Sequence, residues 1–146
     1  EEMKTKPKSG NIVTEDGEIL GKHTGLFNYT IGQRKGLGIA YKHPLYVIGF
    51  NGERNEVIVG PNERLFTNRM ICKFYNFLDD TIHKELKAEG KIRYAANPSP
   101  CTARILDDDT MEVIFDEPQR AITPGQSVAF YNGTQLLGGA VIDRVC

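Results

Sequence analysis

The sequence has few of the residues that build disulfide frameworks and zinc sites, and it has no long apolar run. It contains three cysteines and three histidines, and no two cysteines form a Cys-x-x-Cys pair. This argues against a disulfide scaffold and against a zinc site. No run approaches the roughly 20 apolar residues that span a bilayer, and the first residues form no apolar signal region. We therefore expect a cytoplasmic protein with reduced thiols, no metal site and no membrane contact.

An excess of charge of one sign is also absent. Eighteen Lys and Arg residues stand against 19 Asp and Glu residues, so the formal net charge is −1. A protein that binds nucleic acid on its own is typically strongly basic, so any contact with RNA must be local. The hydrophobic content of 40% is enough for packed cores in one ordinary domain or two small ones.

Signals for helix are scarce, and the first part of the sequence predicts short strands separated by turns. Residues 1–10 are polar and indicate a loose leader or the remnant of a linker. The Asp-Gly pair at 16–17 lies between apolar pairs and predicts a hairpin that opens the fold. A glycine-rich loop follows, with room for one helical turn at 24–28. Two further strands are predicted at 45–50 and 56–59.

The second part of the sequence predicts a barrel, so the fold class is all-β. The Gly-Pro-Asn run at 60–62 marks a boundary between a polar leader with a small β-rich domain, 1–62, and a second domain, 63–146. Six strand candidates in the second domain favour a closed antiparallel barrel, because closure leaves no exposed edges. Tight turns are predicted at 107–109 and 132–133. The six candidates are roughly 69–77, 86–95, 101–106, 111–115, 127–131 and 135–143.

The most unusual stretch, residues 29–39, holds a polar and cationic triplet between glycine-marked turns. Gln33, Arg34 and Lys35 offer amide and cationic donors, and the neighbouring glycines permit positive φ angles or the close approach of another surface. Such donors suit a phosphate or the edge of a base. The same spacing is also typical of a solvated turn, so both interpretations stay open at this point.

This stretch, with the His-Thr-Gly run at 23–25 before it, resembles the middle region of the tRNA-specific 2-thiouridylases. Motifs of the C-terminal domain of that family follow in the same order, and several motifs in one order are more specific than any single one. The resemblance covers about residues 10–146. The later motifs are Arg93-Tyr94, Pro-Cys-Thr-Ala-Arg at 100–104, Val-Ile-Phe-Asp-Glu-Pro at 113–118, Ala-Ile-Thr-Pro-Gly-Gln at 121–126 and Leu-Gly-Gly at 137–139.

The resemblance implies a compact β-rich middle domain and a six-stranded barrel like the second domain of elongation factor Tu. It also implies a parent enzyme that thiolates the wobble uridine of certain tRNAs, using ATP with Mg²⁺ and sulfur from a persulfide carrier protein. The Ser-Gly-Gly-x-Asp-Ser phosphate loop of that family does not occur here. The two catalytic cysteines of the family lie upstream of the matched region, so Cys72, Cys101 and Cys146 inherit no catalytic role.

We therefore expect the RNA-holding part of such an enzyme, inactive alone, with no cofactor of its own and the anticodon stem-loop of tRNA as its partner. By the resemblance, Arg93, Tyr94 and Gln126 contact tRNA. Tyr94 suits an unpaired base and Arg93 a phosphate, while the Gln126 amide suits a base edge. Arg34 is a better phosphate ligand than Lys35, because its planar fork binds in two places at once. The alternatives are a core tyrosine, a surface arginine and a glutamine that caps its own turn.

Two other functions stay open. One is a stand-alone barrel, like those of translation factors, that binds RNA or a protein partner without catalysis. The other is a cysteine hydrolase in which His23 pairs with Cys72 or Cys101. No spacing signature supports it, and both cysteines fall in strand-like runs where thiols are usually buried and inert. His23 is better explained as a hydrogen-bonding residue of the loop, and the aspartates at 107–109 as a hairpin turn rather than a calcium loop.

Overall fold

A computed structural model describes residues 8–79, 84–92 and 97–146 of the chain. The described residues form two compact units, which divide between Leu65 and Phe66. Each unit consists of β-strands around its own hydrophobic core, so the all-β class expected from the sequence is confirmed. The sequence places the boundary after residue 62, whereas the short 3₁₀ helix Asn62–Leu65 belongs with the first unit.

The first unit is a four-stranded sheet made of two hairpins, β1 (Gly10–Thr14) with β2 (Ile19–His23) and β3 (Tyr46–Asn51) with β4 (Glu56–Gly60). Both hairpins are antiparallel; the sequence predicts the first as a hairpin and the second as two strands. The order in the sheet is β2-β1-β4-β3, and the hairpins join where β1 and β4 run parallel. The sequence does not predict this parallel pairing. A tight turn, which is a recognisable sequence signal, can connect only antiparallel strands.

The connection from β2 to β3 contains the glycine-rich stretch and packs on the sheet through its apolar residues. Leu37 and Leu45 are buried in one cluster with the valines of β3 and β4. A single 3₁₀ turn, Leu26–Asn28, lies where the sequence allows one helical turn. The apolar residues of the connection therefore anchor it to the sheet. Further residues packed against the cluster are Leu20, Leu26, Tyr29, Ile31 and Ile39.

The second unit is a closed barrel of six strands in which every neighbouring pair is antiparallel. Its strands are β5 (Phe66–Phe77), β6 (Glu85–Lys91), β7 (Ser99–Ile105), β8 (Thr110–Arg120), β9 (Ser127–Asn132) and β10 (Gln135–Val145). Their order around the barrel is β10-β5-β8-β7-β6-β9. The tight turns predicted at 107–109 and 132–133 join β7 to β8 and β9 to β10.

The predicted end of β8 at Phe115 is wrong, since the strand continues through Pro118 to Arg120. Proline has no N–H for a ladder, which is why the sequence favours an earlier end. The pairing of β8 with β5 shifts register between Thr67 and Arg69, and Pro118 lies inside this shift. The strand therefore tolerates the proline, because Pro118 has no paired residue on β5 to which it would have to donate a hydrogen bond.

The barrel is filled by alternate side chains of its strands, and one glycine makes room for the largest of them. A Cβ atom on Gly90 of β6 would lie 3.0 Å from the ring of Phe115 and 3.2 Å from Sγ of Cys101. Glycine at this point therefore leaves room for the ring of the buried phenylalanine. The buried core consists of Met70, Cys72, Ile92, Cys101, Ala103, Met111, Val113, Phe115, Ile122, Val128, Phe130, Ala140 and Ile142.

Glu112 on the barrel is held between two arginines of the neighbouring strands. Only 6% of Glu112 is exposed, and its carboxylate accepts hydrogen bonds from Nε of Arg69 on β5 at 2.6 Å and from Nη2 of Arg104 on β7 at 2.8 Å. These bonds, that of Arg69 first, hold the pKa of Glu112 below its usual value. The trio therefore ties three adjacent strands of the barrel together.

We expect Glu112→Gln to lower the free energy of unfolding near pH 7 by about 1 kcal/mol, a modest loss because both arginines are open to solvent screening. The folded pKa of Glu112 lies below its unfolded value of about 4.3. Its stabilisation is therefore complete above the unfolded pKa and is lost as the pH falls through the lower, folded pKa. Urea unfolding at about pH 7 and pH 3 measures both effects.

The matched control for this variant is Glu117→Gln, which removes an exposed carboxylate from the same strand. It should change the free energy of unfolding little at either pH. If the loss in Glu112→Gln were the same at pH 7 and pH 3, the carboxylate would not be the source of the stabilisation.

Candidate nucleic-acid interface

The glycine-rich stretch is attached to the sheet by backbone bonds at its centre. Gly32 N donates to Val47 O at 2.8 Å, and Val47 N donates to Gln33 O at 2.9 Å. Gln33 N also donates to Thr30 O at 2.9 Å, which closes a turn in which Gly32 has a φ of 92°. Glycine takes this positive φ without the steric cost that a Cβ would bring. The stretch is therefore bonded to β3 and tightly turned just before its two cations.

Gln33 braces this turn with its side chain. Oε1 accepts a hydrogen bond from Thr30 N at 3.0 Å, and Nε2 donates to Lys35 O at 2.9 Å. Both ends of the amide are thus used within the loop. Its contact with RNA stays a prediction, and the structure adds a second role, which is to hold the shape of the turn.

Arg34 and Lys35 project from the turn into solvent. Both residues are exposed, and the side chains of both lack an ion pair or hydrogen bond with any residue in the described part of the chain. Gly36 follows with a φ of 78° and turns the backbone again. Two neighbouring cations without an acidic partner are the kind of donors that proteins use to contact phosphates.

The base of the connection is fixed by His23, which is only 1% exposed. Its Nδ1 accepts a hydrogen bond from Gly25 N at 3.0 Å, and its Nε2 lies 2.7 Å from Asn55 O. Because Nδ1 accepts and a carbonyl oxygen cannot donate, the ring is the neutral tautomer with its proton on Nε2. The ring of Tyr29 packs edge to face against the His23 ring, with the ring centroids 5.8 Å apart. His23 is therefore a structural hydrogen-bonding residue, as the sequence indicated.

Two residues that support His23 escaped the sequence analysis. Asn55 has a φ of 56°, and its side-chain amide donates to Ser9 O at 2.9 Å and to Lys8 O at 3.1 Å. A Cβ atom on Gly10 would overlap Asn55 O and lie 2.7 Å from Nε2 of His23. Glycine at position 10 is thus a condition for the bond between histidine and asparagine. Gly10 pairs with His23 across the β1–β2 hairpin, but only the parallel pairing of β1 with β4 brings Asn55 to them. No local pattern reveals that second contact.

Gln126 lies in the second unit, on the turn between β8 and β9. Gln126 N donates to Thr123 O at 3.3 Å, and Gly125 has a φ of 91°. Two bonds attach this turn to β10, from Gly125 N to Ile142 O at 2.7 Å and from Ile142 N to Gln126 O at 2.8 Å. The side chain of Gln126 is exposed and takes no part in these bonds. It projects from a fixed turn, and its contact with RNA stays a prediction.

The predicted pair Arg93 and Tyr94 lies outside the described residues. The strand before it, β6, ends at Lys91. Of the predicted site residues that the structure describes, Gln33, Arg34 and Lys35 share one turn of the first unit, and Gln126 belongs to the second.

Comparison with known proteins gives the family. Residues 2–61 match the family model described as a tRNA methyl transferase PRC-barrel domain, and residues 67–142 match the aminomethyltransferase beta-barrel domain. The tRNA-specific 2-thiouridylase MnmA of Clostridioides difficile (strain 630) is 46% identical over 142 residues, which are 97% of this chain and 39% of that protein. The chain belongs to the tRNA-specific 2-thiouridylase family.

Other relatives agree in both identity and extent. The enzyme of the same name from Clostridium botulinum (strain Alaska E43 / Type E3) is 48% identical over 139 residues, 94% of this chain and 38% of its own length. MnmA 1 of Clostridium tetani (strain Massachusetts / E88) is 47% identical over 146 residues, 99% of this chain and 40% of its own length. The chain thus spans about two fifths of the length of the relatives that it matches.

Cys72 and Cys101 are poor nucleophiles. Both lie in the barrel core, and burial raises the pKa of each thiol to about 12. Both are protonated near neutral pH, and the thiolate is the reactive form. Both ring nitrogens of His23 are engaged by the backbone. The cysteine-hydrolase alternative therefore has neither an activated thiol nor a free base among these residues.

No group of three or more His, Cys, Asp or Glu side chains is placed to hold a metal ion in residues 8–79, 84–92 and 97–146. Over the same residues, no helix has the length and apolar character needed to cross a membrane.

We expect the folded chain to react with one equivalent of Ellman's reagent near pH 8, at the exposed Cys146. Cys72 and Cys101 should react only after denaturation, because burial keeps both thiols protonated and out of reach. Absorbance counts the thiols, and mass spectrometry locates them. Cys146→Ser is the control, and this variant should not react with the reagent when it is folded. Fast labelling of Cys72 or Cys101 in the folded chain would contradict their inert role.

Proposed function

We propose that this chain grips the anticodon stem and loop of tRNA on behalf of a tRNA-uridine 2-sulfurtransferase. One observation carries the proposal. Arg34 and Lys35 are exposed, have no acidic partner among the described residues, and stand on a turn that is bonded to β3. Membership of the 2-thiouridylase family supports the choice of tRNA, since the relatives are named for thiolation of tRNA uridine.

The proposed grip depends on the turn being formed before RNA arrives. The bonds to Val47 and the brace of Gln33 fix the backbone that bears both cations. Less conformational entropy is then lost on binding than with a disordered basic segment. Arg34 can engage one phosphate through two parallel bonds, and Lys35 contributes a compact charge to a neighbouring phosphate.

The barrel is proposed to make RNA contacts of its own. Gln126 is exposed on a turn attached to β10 and offers an amide that can both donate and accept at a base edge. By resemblance to the family, we assign Arg93 to a phosphate and Tyr94 to an unstacked base. Phosphate contacts position RNA and base contacts select its sequence. In this proposal Arg93 therefore positions the RNA, while Tyr94 and Gln126 contribute to its selection.

In this proposal the chain binds and orients RNA and performs no chemistry alone. The sequence has no Ser-Gly-Gly-x-Asp-Ser loop, the motif that the resemblance associates with ATP. We assign ATP, Mg²⁺ and the persulfide carrier to the remaining length of such an enzyme. The contribution of this chain is to hold the stem so that the target uridine leaves its stack in the right place.

A second candidate function, the docking of a protein partner on the barrel, is favoured by one observation. Phe74 and Leu78 are 68% and 70% exposed and line a groove of about 620 Å³ together with Leu136. Exposed apolar side chains around a groove are typical of protein contacts. This would be the function of a barrel that works without catalysis.

We expect Arg34→Ala and Lys35→Ala each to weaken binding of an anticodon stem-loop that carries an unmodified wobble uridine. Affinity should be micromolar or weaker, because the chain has no overall excess of positive charge. Each lost phosphate contact should reduce the slope of log K against log salt by about 0.7 to 1. Fluorescence anisotropy at low and physiological salt measures both quantities, and Arg93→Ala and Gln126→Ala test the barrel in the same assay.

The control is Lys87→Ala, which removes an exposed lysine of β6 that is outside the predicted site. It should leave affinity close to that of the wild type, and circular dichroism should show that every variant is folded. Absence of binding even at low salt, or an equal loss in Lys87→Ala and Arg34→Ala, would overturn the proposal. In the first case the exposed groove of the barrel would become the surface to test, with protein partners.

A further inference from the structure

A groove of about 460 Å³ opens beside the cationic turn, within the first unit. Its lining comes from residues 34–45 alone, and this stretch contains no acidic residue. The volume falls in the range of about 300 to 1,000 Å³ that is common for sites of small ligands. None of the predicted site residues except Arg34 lines it.

Basic side chains come from both ends of this stretch. Arg34 begins it, and Lys42 and His43 lie near its end. Arg34 and Lys42 are exposed and have no ion pair with any residue that the structure describes. Unpaired cations around a groove without carboxylates favour an anion, and the guanidinium fork of Arg34 favours a phosphate.

An aromatic pair lies at the same end of the groove. The rings of Tyr41 and His43 meet edge to face, with centroids 4.9 Å apart and an interplanar angle of 86°. His43 Nδ1 donates to Pro44 O at 3.1 Å, which leaves Nε2 as an acceptor that no described residue uses. Aromatic side chains offer stacking surfaces to nucleobases, and a free ring nitrogen can accept from a ribose hydroxyl or a base amino group.

The wall of the groove is held in place by the core. Leu37 and Leu45 both line the groove and are buried in the cluster of the first unit. Gly38, next to Leu37, has a φ of 66°, and a Cβ atom there would have no neighbour within 4 Å. Glycine at this position therefore permits the positive φ and is not needed for space. The groove is therefore a feature of the folded unit.

We propose that this groove binds one nucleotide of an RNA chain, with the phosphate between Arg34 and Lys42 and the base stacked on Tyr41. The proposal rests on the proposed function for the RNA as its source, since a free nucleotide has the same chemistry. It adds a stacking and phosphate subsite, made by Tyr41, Lys42 and His43, to the grip of the cationic turn. Binding in the groove would fix the RNA strand in register after the turn has captured its backbone.

Amide chemical shifts of the chain, titrated with inorganic phosphate, uridine 5′-monophosphate and a short oligouridylate, test the proposal. We expect the shift changes to fall within residues 34–45 and the oligouridylate to bind more tightly than the mononucleotide. Lys42→Ala should weaken all three ligands. Tyr41→Ala should weaken the two that carry a base, by about fivefold or more, and leave phosphate unchanged. Lys22→Ala, an exposed lysine of β2, is the control.

Several outcomes would overturn the proposal. Shift changes outside the stretch, or unchanged affinities in Lys42→Ala and Tyr41→Ala, would remove the subsite. A mononucleotide that binds as tightly as the oligomer would remove RNA as its source. This test can fail separately from the proposed function. Nucleotide binding in the groove without affinity for the stem-loop would support the groove and contradict the proposed grip on tRNA. Stem-loop binding that depends on Lys35, with no shift changes in the groove, would support the proposed grip and contradict the nucleotide subsite.

Discussion

The two backbone hydrogen bonds between the turn at Gly32 and Gln33 and the strand residue Val47 are the constraint on which the first unit depends. A segment that packs on a sheet removes its own peptide groups from water, and those groups need partners. Val47 supplies both an acceptor and a donor. The two cations lie between these bonded residues and the buried Leu37, so both ends of the short segment are fixed while its cationic side chains are exposed.

Burial and exposure divide the stretch into two functions. Its leucines enter the core and supply the free energy that keeps the stretch in place, while Arg34, Lys35 and Lys42 remain in solvent. His23 fixes the start of the connection through its bonds to Gly25 and Asn55. The result is a preformed cationic edge in a protein whose overall charge is close to zero. For the proposed RNA grip, local shape therefore matters more than net charge.

The sequence predicts the strands and turns well because their signals are local. Alternating apolar residues give the barrel strands, and short polar runs give the turns at 107–109 and 132–133. The parallel join of β1 and β4 could not be predicted in this way, because the two strands are far apart in sequence and no turn connects them. The end of β8 was misplaced for a related reason, since the bulge that tolerates Pro118 depends on its partner strand.

The candidate site shows the same division. The chemistry of Gln33, Arg34 and Lys35 predicts a cationic turn, and the structure has one. The brace made by the Gln33 side chain depends on the path of the backbone, which the residue types do not specify. Tyr41 and His43 form no known spacing motif, so only their packing reveals the groove. The bond between His23 and Asn55 depends on the parallel pairing of β1 with β4, which no local pattern contains.

Amide hydrogen exchange of the chain, measured alone and with an anticodon stem-loop, tests most directly whether a preformed turn holds RNA. Gly32 and Val47 should already be protected in the free chain, because their N–H groups are bonded. RNA should slow exchange further within residues 34–45. Rapid exchange at Gly32 and Val47 in the free chain, or protection by RNA that spares this stretch, would contradict a preformed turn that holds RNA.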